Sequence, residues 1–445
     1  MGPRPSAAGQ AEQIVIIGNG PAGNAAAAAI RRHDLRIRVH IFSEEPFPFY
    51  SPCFLHEHLS GELKREALFI KKMEDYRRHG IEITLDRAII EIDLEKKRVL
   101  HAAGEKIFSK LILGTGGRPI LQKLPGDHLA GIFTFKTPAD SEAISKYCDM
   151  HGVRSACVVG AGPIGLETAH SLLTRGMEVV LIVRGNSILS RLFSEKMAGR
   201  IQELLEARGL RILTGTQLLE ISGEDRVRSV QFSDKKRFDC GMVLFGMGVK
   251  PNTDLAGRAG MTLGTSGGIP VDAHMRSSVP DVYACGDCAE TYDPFLEEHR
   301  IAALWPNAVL GGKTAGLNCL GIIKPLPSLV DFTRINLPGM NAVSLGYSEK
   351  MLKNAVNIDK IEGSVQGAEY LLILSDGNLI GAQILGVNPF PMIWSLIYKK
   401  EKLAGLKKIG SPVQLSLLNP LSCLVRYRWP MLPGTAGQPI EASAK

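Results

Sequence analysis

Apolar residues in this chain come in short runs that glycine and proline interrupt. Ile14-Val15-Ile16-Ile17 is one such run, and it leads straight into Gly18-Asn19-Gly20-Pro21-Ala22-Gly23. A continuous apolar run of this length predicts a strand covered on both faces. The alanine-rich stretch Asn24 to Arg32 predicts a helix, and Ile37 to Phe42 a second strand. The same order returns later: strand Ala156 to Val159, turn Gly160-Ala161-Gly162-Pro163-Ile164-Gly165, helix Leu166 to Arg175, strand Glu178 to Val183. Gly18 and Gly160 lie too far apart for a solenoid repeat, so two separate strand–helix–strand units are expected. Farther on, Tyr370 to Leu374 and Leu379 to Leu385 predict strands and Pro391 to Lys402 a helix. Alternating strands and helices point to an α/β fold.

Composition narrows this only modestly. The 445 residues suit two or three domains, and 45% hydrophobic with 22% charged residues suits a soluble globular chain. Disorder, collagen and a disulfide-stapled miniprotein are excluded. No run approaches the ~18 apolar residues of a membrane span; the most apolar region, Tyr370 to Tyr398, is broken by Asp376-Gly377-Asn378 and Asn388-Pro389. The net charge of +7 comes with no dense Lys/Arg run, so no nucleic-acid partner is expected, whereas anionic cofactors or an acidic partner fit. Eight cysteines in so long a chain are not a disulfide framework, and Met1 to Ala11 lacks the apolar core of a secretion signal. A reducing, cytoplasmic setting is the expectation.

The two glycine loops carry the chemistry. Each follows a strand and opens a helix, the context a dinucleotide-binding turn requires. Gly18 and Gly160 allow the tight turn, Gly20 and Gly162 let backbone approach a pyrophosphate, and Gly23 and Gly165 let helix pack on strand. Pro21 and Ala22, like Pro163 and Ile164, stand in the turns that lead into the helices whose N–H groups would face that anion. A carboxylate after the second strand pairs with ribose hydroxyls, and Glu44 is the candidate in the first unit. The second unit has no acid there: its strand ends Val183-Arg184, so Arg184 or Arg191 could pair with a 2′-phosphate, favouring NADPH or use of both NADPH and NADH, with solvated surface arginines as the alternative.

A third signature runs from Ser277 through Val282-Tyr283-Ala284-Cys285-Gly286-Asp287-Cys288 to Glu290, with Gly246-Met247-Gly248 to Asn252 and Gly267 to Asp272 upstream and Leu113 to Pro119 earlier. On these residues the chain resembles the two-dinucleotide-binding-domain flavoproteins, the pyridine nucleotide-disulfide oxidoreductases. The resemblance implies two Rossmann-like domains, one for FAD (13–121 and 250–330) and one for NAD(P) (122–249), with a C-terminal α+β interface domain (331–445) that forms a homodimer. It further implies that Asp287 beside Gly286 holds the ribityl chain of FAD, that Thr115 and Gly116 form a flavin-side turn, that Gly248 belongs to the nucleotide site, and that Glu167 lies near the nicotinamide. Asp287 capping a helix near Cys288 is the structural alternative.

The family divides by what stands beside the flavin. The paired redox cysteines of its disulfide-reductase branches are missing, and using Cys285 and Cys288 as a pair would take Asp287 from its role. Cys53, in Tyr50-Ser51-Pro52-Cys53-Phe54-Leu55, stands about where the coenzyme A-disulfide reductase and NADH oxidase branch carries its single redox cysteine. A helix starting there would lower the thiol pKa. A buried structural cysteine is the alternative. His56 and His58 are expected to be solvated rather than metal ligands, and no metal site is expected. Tyr427 is the nearest counterpart to that branch's C-terminal tyrosines. The resemblance thus implies an NAD(P)H-dependent enzyme reducing a disulfide, persulfide or oxygen through Cys53. A reductase feeding a partner redox protein, or a non-catalytic nucleotide-bound interaction protein, are the other readings.

Overall fold

A computed structural model describes residues 12–352, 356–365, 367–386, 393 and 397. Two parallel sheets and one antiparallel sheet organise them. In the first sheet, β1 (Gln13–Ile17) has β2 (Arg38–Phe42) and then β3 (Ile81–Thr84) on one side, and β4 (Lys110–Leu113) and Val282–Ala284 on the other. All four pairings are parallel. Ile14, Val15 and Ile16 are wholly buried, which is why β1 reads as an unbroken apolar run rather than an alternation.

The second sheet repeats the plan. β6 (Ser155–Val159) lies between β7 (Glu178–Ile182) and β9 (Met242–Phe245), with β8 (Arg211–Leu213) and β5 (Ile132–Thr134) at the edges, all parallel. In each sheet the chain leaves the central strand to one side and returns on the other. The crevice at such a reversal, beyond the carboxyl ends of the strands, is where open α/β sheets take ligands. Both glycine loops lie there.

The helices begin slightly earlier than the sequence suggests, because proline serves as their first residue: α1 spans Pro21–His33 and α4 spans Pro163–Thr174. A short α2 (Leu55–Ser60) and α3 (Pro138–His151) fall between them, and α5 (Glu195–Glu206) and α6 (Trp305–Cys319) follow. Helix α6 lies against α1 with almost no side chain between. A Cβ on Gly312 would stand 2.1 Å from the Ala22 carbonyl oxygen, and one on Gly316 2.6 Å from that of Ala26. The Gly286-Asp287 turn leads towards α6, so this close packing fixes that turn above the first glycine loop.

From Phe332 to Leu385 five strands form an antiparallel sheet, the expected Tyr370 and Leu379 strands extending over Ala368–Ser375 and Asn378–Leu385. One face (Ile335, Ala342, Leu371, Ile373) joins the core of the second unit with Leu166 and Ile201. The other (Val343, Leu345, Leu372, Ile384) packs with Ile393 and Ile397. The expected helix over 391–402 otherwise lies outside the described residues, as do Tyr427 and the chain's opening segment. No helix among the described residues is long and apolar enough to cross a membrane.

Candidate active site

The two loops are built alike and for the same steric reason. Gly18 has φ +115° and Gly160 φ +103°, a left-handed region that side chains avoid. A Cβ on Gly23 would meet the Gly18 carbonyl oxygen at 2.0 Å, and one on Gly165 the Gly160 carbonyl oxygen at 1.9 Å. The middle glycines differ. A Cβ on Gly20 or on Gly162 would meet nothing within 4 Å. These two cap α1 and α4, no side chain caps either helix, and neither first turn contains an acid. Two helix N-termini therefore present unsatisfied N–H groups and positive dipole ends to an open space that a diphosphate would fill.

Around the first loop, the Thr115 hydroxyl donates to the Asn252 carbonyl at 2.6 Å, and the Asn252 amide donates back to the Thr115 carbonyl at 3.1 Å. Thr115 and Gly116 thus tie the two crossings of the first unit together. Ala22 is buried against Gly312, so it contributes backbone rather than side chain. Glu44 is exposed just past β2, free to meet a ribose, whereas the next acid, Glu45, accepts the Tyr50 hydroxyl at 2.9 Å.

Gly286 and Asp287 form a single 3₁₀ turn with Cys288 and start no α-helix, so the capping alternative for Asp287 does not hold. Burial pushes the Asp287 carboxyl up and the Lys136 ammonium pulls it back. Among the described residues no hydrogen bond or ion pair engages that carboxylate, which leaves it available to ribityl hydroxyls. Cys285 and Cys288 are wholly buried, the Cys288 thiol lying 3.4 Å from the Leu113 and Cys285 carbonyls. The donor set fits FAD at the first loop and a nicotinamide dinucleotide at the second.

At the second loop Val183 is buried while Arg184 and Arg191 are exposed, and among the described residues no carboxylate pairs with either arginine side chain. Gly248, at φ +94°, has open space where a side chain would project.

Cys53 lies within the 3₁₀ turn Pro52–Phe54 that precedes α2. The residue is solvent-accessible. Burial, then the Glu167 carboxyl, push the thiol pKa up, against the opposing pull of the Ser51 hydroxyl. The expected lowering by a helix N-terminus is therefore corrected. The α-helix starts two residues later, runs only to Ser60 and carries Glu57 in its first turn.

His56 and His58 are half-buried and partnered rather than freely solvated. The Ser171 hydroxyl of α4 donates to the His56 carbonyl at 2.7 Å, and His58 Nδ1 meets the Ser141 hydroxyl of α3 at 2.7 Å. These contacts pin α2 between α3 and α4. His56 Nδ1 then lies 3.8 Å from Glu167 Oε2, and its Nε2 3.9 Å from Glu57 Oε1. Glu167 is pushed up to about 8, by burial first and by Glu57 second. Burial moves His56 the other way, downward. Among the described residues no group of three or more His, Cys, Asp and Glu could hold a metal ion.

Residues 12–312 match the family model for pyridine nucleotide-disulphide oxidoreductases. The chain belongs to that family. It is 29% identical to an NADH oxidase of Methanocaldococcus jannaschii over 92% of this chain and 97% of that one. A CoA-dependent NAD(P)H sulfur oxidoreductase of Pyrococcus abyssi is 32% identical over 78% of each. The solved NAD-dependent persulfide reductase of A. fulgidus superposes with TM-score 0.81 at 25% identity, over 90% of this chain and 79% of that one. This member of the pyridine nucleotide-disulphide oxidoreductases is accordingly an NAD(P)H-dependent flavoprotein oxidoreductase, with FAD and NAD(P)H as its cofactors.

Proposed function

We propose that the enzyme takes electrons from NADPH in preference to NADH and passes them to a small disulfide, persulfide or oxygen acceptor at Cys53. One observation carries this reading: an accessible thiol stands three residues before His56, whose ring lies 3.8 Å from Glu167 on the helix that the second glycine loop opens. When bound, FAD supplies the two-electron relay between nicotinamide and acceptor. The chain's own part is positional. Backbone N–H groups at Gly20 to Gly23 and Gly162 to Gly165 hold the diphosphates, Glu44 and Asp287 accept ribose and ribityl hydroxyls, and Arg184 with Arg191 receives a 2′-phosphate. Glu167 and Gly248 border the nicotinamide. The sulfur- and oxygen-reducing relatives agree with this acceptor class. We further infer the division into FAD (13–121, 250–330), NAD(P) (122–249) and interface (331–445) domains, a homodimer, and a cytoplasmic setting.

Anaerobic titration with NADPH tests the thiol's part. Uptake of about four electrons per subunit, with a long-wavelength thiolate-to-flavin band, is the expected result for flavin plus one oxidised cysteine. Uptake of about two would remove Cys53 from the reaction.

Cofactor choice has its own test. Arg184→Ala is expected to raise KM for NADPH roughly ten- to a hundredfold, the loss of a charge-assisted contact, and to leave kcat/KM with NADH within about threefold. Equal effects on both nucleotides, or a parent enzyme that strongly prefers NADH, would refute the 2′-phosphate assignment.

A further inference from the structure

Resting on the reading that Cys53 attacks the acceptor, we propose that His56 and Glu167 hold and deliver the proton its chemistry requires. Attack of the Cys53 thiolate on a disulfide RS–SR′ forms the Cys53–SR bond, breaks the S–S bond and releases R′S⁻. The electron pair and proton arriving as the NAD(P)H hydride then cleave Cys53–SR to thiolate and RSH. The balance is NAD(P)H + RS–SR′ + H⁺ → NAD(P)⁺ + RSH + R′SH. One proton per turnover must come from outside the hydride, and it is needed where R′S⁻ leaves.

The structure puts a proton store at that place. Glu167, on α4, stands 3.8 Å from the ring of His56, three residues along from Cys53, and its charge acts on the Cys53 thiol. Its side chain is only 19% exposed, and that of His56 15%. Burial keeps this carboxyl protonated to about 8, close to the basicity of an aliphatic thiolate, so transfer is nearly balanced in energy. Glu57 lies 3.9 Å from the His56 ring and its charge acts on Glu167, Glu62 favours the charged His56 ring, and His170 on α4 feels the charge of that ring. The Cys53 carbonyl also favours the charged ring, so the imidazole can take the proton in passage and hand it on. His56 and Glu167 act through the leaving group's protonation and are positioned by the Ser171 bonds to the His56 and Glu167 carbonyls, 2.7 and 2.8 Å.

The test uses prereduced full-length enzyme in a single turnover without NAD(P)H, following thiol release from two reagents. Bis(2-hydroxyethyl) disulfide expels a basic thiolate that needs a proton; 5,5′-dithiobis(2-nitrobenzoate) expels a weakly basic aromatic one that does not. Glu167→Gln is expected to slow the first reaction roughly a hundredfold, the usual worth of a placed acid, and the second by less than about threefold. The pH dependence of the first reaction should lose its limb near 8. His56→Gln should show the same contrast and carries the test where Glu167→Gln does not retain flavin. Equal slowing of both reagents would mean a structural role, and slowing of neither would mean no role; either overturns the proposal. Cys53→Ser separates the underlying reading: reaction with either reagent at parental rate in that variant removes Cys53 itself.

Discussion

Cys53→Ser is expected to lower turnover with small disulfide or persulfide acceptors at least about a thousandfold, while NADPH still bleaches the flavin at the parental rate in stopped flow. The split follows from geometry. Cys53 belongs to the turn before α2, packed between α3 and α4, and contributes to neither glycine loop. Serine matches cysteine in size, and the residue is solvent-accessible, so no core contact is lost. What disappears is the sulfur nucleophile, since a serine hydroxyl is far less acidic and cannot be reduced out of a mixed disulfide. The raised thiol pKa adds a further expectation: turnover climbs with pH while the thiolate fraction grows, then falls once Glu167 has lost its proton above about 8. Parental turnover with small acceptors in Cys53→Ser would end the thiol mechanism. If the parent enzyme is slow with small acceptors and fast with a coexpressed redox protein, it is a partner-feeding reductase instead.

Much of this architecture is legible in the chain because steric and local signals dominate it. Ile14 to Ile17, an apolar run ending at a glycine turn, is a strand buried on both sides, and Gly18, Gly23, Gly160 and Gly165 fill positions where an added Cβ would strike backbone oxygen. The active-site surroundings are less legible. His56 and His58 stand beside acids in the sequence, which reads as a polar exposed turn. Their partners, Glu167, Ser141 and Ser171, lie on helices that reach them only after the second unit packs on the first. Lys136 is a similar case: nothing in Phe135-Lys136-Thr137 shows that its ammonium donates to the Gly117 carbonyl and influences Asp287. The error over Cys53 has the same origin. A helix start was visible, but the Glu167 carboxyl, which adds to burial in raising the thiol pKa, is distant in the chain.

The glycine loops allow a sharper test than loss of activity, because their members have different steric surroundings. Gly20 has an extended backbone, φ −76° and ψ −171°, which any residue adopts, and its Cβ position faces open space. Gly20→Val should therefore fold, with a melting temperature within a few degrees of the parent. Its branched side chain occupies the volume over the α1 N-terminus that the FAD diphosphate needs. Overpacking of this kind costs about 1–3 kcal/mol, roughly five- to 150-fold in Kd, and shielding the helix N–H groups weakens the anion site further. The purified variant should be pale and regain colour only at high added FAD. Gly162→Val should stay yellow and instead lose affinity for NADPH, because the loops serve separate pockets. Gly23→Val is the control: its Cβ would stand 2.0 Å from the Gly18 carbonyl oxygen, so it should fail to fold rather than fold without flavin. Stoichiometric FAD in folded Gly20→Val would show that the flavin diphosphate is not held at the α1 N-terminus, and with it the assignment of the first loop would fall.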